Sequence, residues 1–112
     1  MKNPLKNATS IEDAECPACE ASVMMNKKYI FCYSYICGEC DFYMKRNFLK
    51  KFGYYKLTKE AMRLMLINKR IFIRDLKVPY TNVSIDAYCC FNFDLEKEKW
   101  GIKLVNSPIE GN

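Results

Sequence analysis

The stretch Cys16-Pro17-Ala18-Cys19, followed by seventeen residues and then Cys37-Gly38-Glu39-Cys40, decides how this chain is read. Two Cys-x-x-Cys pairs at that separation match a four-cysteine zinc site. The reason is local. Two residues between cysteines allow a tight turn that aims both sulfurs at one ion. Two such turns supply the tetrahedral sulfur shell that Zn2+ prefers in closed, structural sites. Spacing therefore selects Cys16, Cys19, Cys37 and Cys40 as ligands. Cys32, five residues before Cys37, is the alternative third ligand. The competing reading is a set of buried or redox-active thiols.

Working outward, residues 16–52 read as a zinc ribbon. Ser22 to Met25 is a short strand, and Asn26-Lys27-Lys28 is a turn. Tyr29 to Ile36 alternates as a second strand, with Tyr29, Phe31, Tyr33 and Tyr35 on one face. Asp41 to Phe48 is the third strand. Residues 1–15 are polar and aperiodic, as a flexible leader would be.

Residues 53–105 read as a small α+β module of one helix and about three antiparallel strands. Thr58 is a good N-cap for a helix over 57–68, with Leu57 and Met62 placed as a hydrophobic staple. Ala61, Leu64, Met65 and Asn68 share a face, and Asn68 suits a left-handed helix end. Strands follow at Ile71–Arg74, at Val83–Asp94 and around Trp100, Ile102 and Leu104. In the second of these, Val83, Ile85, Ala87, Cys89, Phe91 and Phe93 face inward. Residues 106–112 are a polar tail; with Met1 at the other end, the chain reads as complete.

Composition narrows the class. At 112 residues with seven cysteines and no histidine, the chain has a core small enough to gain from a structural metal. An odd cysteine count in paired spacing, without a signal peptide, favours thiolates on a metal over a secreted disulfide scaffold. No apolar run approaches 18 residues, so a soluble, cytoplasmic protein with no membrane partner is expected.

Charge is uneven. Residues 24–81 hold thirteen Lys/Arg against four Asp/Glu, a net of +9, while each flanking segment carries −2. Four thiolates on Zn2+ bring the formal +5 of the chain to about +3 and leave the cationic band intact. Such a band attracts polyanions, nucleic acid first. Ten of the sixteen aromatics lie between Tyr29 and Tyr55. This gives a candidate nucleic-acid-binding set of Lys27, Lys28, Tyr29, Phe31, Tyr33, Tyr35, Lys45, Arg46, Lys50 and Lys51. Its aromatics would stack unpaired bases and its cations would meet phosphates. The plainer reading is that the aromatics pack within the protein and the charges are solvated.

Both halves resemble the C-terminal region of bacterial type IA DNA topoisomerases, where a four-cysteine finger precedes a small α+β repeat. The finger is similar through Cys16-Pro17-Ala18-Cys19, Lys28-Tyr29-Ile30-Phe31-Cys32 and Cys40-Asp41-Phe42. The repeat is similar through Lys56-Leu57-Thr58-Lys59-Glu60, the helix carrying Leu64, and Asp86-Ala87-Tyr88. The resemblance spans roughly residues 16–105. It implies single-stranded DNA binding without strand passage, because the catalytic core of those enzymes is several times longer than this chain. It also implies the ligand set Cys16, Cys19, Cys32 and Cys40, with Cys37 spare. Glu20 stands where the family often has glycine.

No histidine, glycine-rich phosphate loop or nucleophile–base pair suggests catalysis. The reading is therefore a non-enzymatic, zinc-stabilised module that binds single-stranded DNA or another nucleic acid. The alternative is a protein-interaction adaptor or inhibitor encoded by a mobile element.

Overall fold

The computed structural model describes residues 7–54 and 56–106. The ends of the expected leader and tail, residues 1–6 and 107–112, lie outside the described residues. The fold is α+β, with two antiparallel sheets. The first has the order β1 (Thr9–Glu15), β2 (Ser22–Met25), β3 (Tyr29–Cys32) and β4 (Tyr43–Lys45). The second has β5 (Ile71–Lys77), β6 (Ser84–Asp94) and β7 (Lys99–Val105). A one-turn helix α1 (Tyr33–Ile36) follows β3, a 3-10 helix spans Phe48–Phe52, and α2 (Lys59–Asn68) joins the sheets. Among the described residues, no helix is long and apolar enough to cross a membrane.

Three expectations about local structure change. Residues 9–15 are not a leader: Thr9–Glu15 pairs with β2, and Ile11 reaches the core. A bulge between Ser10 and Glu15, with Asp13 at φ 57°, had hidden the strand's alternation. The strand expected over 29–36 stops at Cys32, whose Sγ accepts the Ser34 N–H at 3.3 Å and caps α1. The third strand is only Tyr43–Lys45, because Arg46 turns inward and the 3-10 helix follows.

The second half keeps its expected order of one helix and three strands, but α2 begins at Lys59 rather than Leu57 and β5 runs on from Arg74 to Lys77. Thr58 caps α2 by accepting the Ala61 N–H at 3.0 Å. Leu57 and Met62 are both fully buried, as a staple requires. Met62, Met65 and Leu66 form the buried face of α2. The left-handed residue at its end is Lys69 rather than Asn68. On β6 the inward set begins at Ala87; Val83 and Ile85 are exposed.

The apolar core is continuous across the expected boundary at 52/53. Ile11, Val23, Ile30, Phe42 and Leu49 belong to the same buried cluster as Met62, Met65, Ile73, Cys89 and Ile102. Its seam is aromatic. Phe42 meets Phe91 and Trp100 edge-on at 5.4 and 5.0 Å, and the Trp100 Nε1–H donates to Asp41 at 3.0 Å. Gly101 allows this closeness, since a Cβ there would lie 2.6 Å from the Phe48 ring.

Arg46 fastens the two halves. It is only 7% exposed. Its Nε and Nη2 donate to the Leu57 carbonyl at 3.0 and 2.7 Å, and its Nη1 donates to the Asn26 carbonyl at 2.6 Å. Its backbone N–H donates to the Lys28 carbonyl, and its carbonyl accepts the Leu57 N–H. One residue thus joins the 26–28 turn, β4 and the approach to α2.

Candidate metal centre and basic groove

Four sulfurs converge: those of Cys16, Cys19, Cys32 and Cys40 all lie within 4.8 Å of one another. The Cys16–Cys40 and Cys19–Cys32 separations are 3.7 and 3.4 Å. A tetrahedron with metal–sulfur bonds of about 2.3 Å has edges of about 3.8 Å, so the sulfurs stand close to the positions such an ion requires. The residues present fit a closed four-thiolate site.

Each ligand position has a local cause. Cys16 follows β1, and its Sγ accepts the Ala18 N–H at 3.3 Å. The turn closes with Glu20 at φ 67°, whose N–H donates to the Cys16 carbonyl at 2.9 Å. Cys32 ends β3 with its side chain buried. After α1, Gly38 takes φ 77° and the Glu39 N–H donates to the Ser34 carbonyl, which brings Cys40 back under Cys32.

The third cysteine of the cluster is therefore Cys32, not Cys37. The turn of helix between them carries Cys37 to the exposed C-cap of α1. Spacing alone favours the Cys-x-x-Cys pair because it treats the intervening chain as extended; the resemblance to the topoisomerase finger placed the third cysteine at Cys32.

Burial sets the proton affinity of the two buried thiols, raising Cys16 and Cys32 above the ordinary range. The exposed Cys19 is lowered, chiefly by the Ala21 backbone N–H. Buried thiolates need a compensating positive charge, which a bound metal supplies directly.

The expected nucleic-acid contacts separate into groups. Lys27, Lys28, Tyr29, Lys45 and Lys50 line one groove of about 520 Å3, together with Asn47 and Lys56. Lys56 stands outside the expected set; it directly precedes Leu57, whose N–H and carbonyl are both bound by Arg46. Arg46 is buried on carbonyls and cannot reach a phosphate. Phe31 is fully buried opposite Tyr43, so it offers no face to a base. Lys51 lies over the Phe48 and Phe52 rings at 5.4 and 5.5 Å. Tyr33 is exposed on α1, away from the strand face expected for it.

Tyr29 and Tyr35 instead sandwich Tyr43, with ring centroids at 5.1 and 4.8 Å and near-parallel planes. The Tyr43 hydroxyl is pushed up to about 12, mainly by burial and then by its hydrogen bond with Tyr29. The three rings form a ladder whose Tyr29 end borders the lysine groove. No family model, curated protein or solved structure matches this chain.

Proposed function

We propose that this chain is a non-enzymatic module, folded around a structural Zn2+ on Cys16, Cys19, Cys32 and Cys40, that binds single-stranded nucleic acid, DNA in the first instance. Zn2+ is the ion that a closed, all-thiolate tetrahedral shell suits best. Four protein ligands leave no open coordination position, so the metal holds the scaffold and does no chemistry.

The observation that carries the binding role is the groove beside Tyr29. Five lysines line it, two from the 26–28 turn and one each from β4, the 3-10 helix and the approach to α2, and no carboxylate is among its described lining residues. An unpaired base can extend the tyrosine ladder at Tyr29 while the lysines neutralise the flanking phosphates. A base inside a duplex has no free face to offer. The resemblance to topoisomerase C-terminal regions supports the same reading.

Fluorescence anisotropy of a labelled oligo-dT, titrated with zinc-loaded protein across a salt series, tests it. Five neutralised phosphates predict a log–log salt slope of about −3.5. Replacing Lys27 and Lys45 together by alanine should flatten the slope by about 1.4. Tyr29→Ala should weaken binding by about 1–3 kcal/mol. An absence of binding at 50 mM salt, or a slope indifferent to the lysine pair, would remove the groove from this role.

A further inference from the structure

A second groove lies on the other sheet, and it does not depend on the nucleic-acid reading. β6 outruns its first neighbour: β5 pairs with it only as far as Ile71 opposite Cys89, whereas β6 continues to Asp94. From Cys90 onward β7 covers one side, and among the described residues no strand covers the other. Such an edge presents backbone N–H and C=O groups at regular spacing.

This edge borders a groove of about 910 Å3, lined by Cys90, Phe91, Asn92 and Phe93. Met65, Leu66 and Trp100 give it an apolar side. Among its described lining residues the charged ones are Lys69, Arg70 and Lys103, all three cationic.

We propose that this groove takes an extended peptide of alternating apolar and acidic residues, which adds to β6 as an antiparallel strand in line with β5. The stretch of the edge that lines the groove, 90–93, accommodates about four residues, or about 13 Å of strand. Alternate side chains would meet the aromatic side, and the others the cations. A peptide backbone satisfies both the donors and the acceptors of the edge. A phosphate chain offers acceptors only and would leave the carbonyls of the edge unmet.

The test uses the whole zinc-loaded protein and a capped Glu-Val-Glu-Val-Glu peptide. Amide shifts at 90–93 and the fluorescence of Trp100, the single tryptophan, report occupancy. Saturable changes are expected at both. Affinity should fall about tenfold or more with Lys-Val-Lys-Val-Lys, and likewise when the peptide amides are N-methylated. Lys103→Glu, an exposed change, should weaken binding without moving the thermal midpoint. Three results would each overturn the proposal. These are no response to the acidic peptide, equal binding of the lysine peptide or the N-methylated one, and a Trp100 response to oligo-dT alone. The last would make the groove a nucleic-acid surface.

Discussion

Arg46→Ala should be among the most damaging single changes outside the cysteines, and it should act through stability rather than charge. The guanidinium donates twice to the Leu57 carbonyl and once, at 2.6 Å, to the Asn26 carbonyl; a fourth contact, to the Lys27 carbonyl, is long at 3.4 Å. Counting Leu57 and Asn26 as two charge-assisted bonds of about 1.5 kcal/mol each gives a loss of about 3 kcal/mol. Against a total stability of about 5–15 kcal/mol, that is a large fraction. With a urea slope of about 1.5 kcal/mol/M, the unfolding midpoint should drop by about 2 M. Arg46→Lys should recover about half, since an ammonium can reach one carbonyl but cannot fork across two segments. The assay is equilibrium urea denaturation of the zinc-loaded protein, read by circular dichroism. A midpoint shift below about 0.5 M, with the melt still cooperative, would refute the clamp. So would a wild-type melt combined with a flattened salt slope for oligonucleotide binding, the behaviour expected had Arg46 faced a phosphate.

Two further predictions address backbone strain and burial. Glu20 occupies φ 67°, a region costly for residues with a Cβ, so Glu20→Gly should stabilise the protein by about 1 kcal/mol in the same urea assay. Cys89 is fully buried, and burial followed by repulsion from Cys90 pushes its thiol from 9.0 up to about 11. The folded state thus disfavours the thiolate. Stability linked to Cys89 is whole below pH about 9 and is lost as pH rises towards about 11, by roughly 2–3 kcal/mol. Cys89→Val should remove that part of the alkaline slope, measured by urea melts between pH 8 and 11.

What was legible in the sequence were the features fixed by neighbouring residues. The α2 cap at Thr58 and its Leu57–Met62 staple rest on contacts a few residues apart, and the three strands that follow alternate along their own length, so each leaves a positional or periodic mark. The Cys16-x-x-Cys19 turn did the same. What was hidden depends on a change of backbone state within a pattern that still alternates. Tyr29 to Tyr35 reads as a strand because aromatics recur every second residue. Yet Cys32 caps a helical turn there, which buries Cys32, exposes Cys37 and swings Tyr35 onto Tyr43. Thr9–Glu15 was missed because the Asp13 bulge breaks its alternation and only Ile11 is deeply buried. Arg46 looked like one more cation in a basic band. Only the fold reveals that its charge is spent on the carbonyls of Asn26 and Leu57.

The metal centre is the claim on which the fold of the first half stands, and Co2+ substitution tests it most directly. Wild-type protein and the Cys37→Ser variant should each bind one Co2+ with the intense ligand-field and charge-transfer absorption of a tetrahedral four-thiolate site. Cys32→Ser should lose that spectrum and weaken metal retention against a chelator. The reverse pattern, with Cys37→Ser losing the spectrum and Cys32→Ser keeping it, would contradict the account, as would a wild-type protein that binds no metal and folds without it.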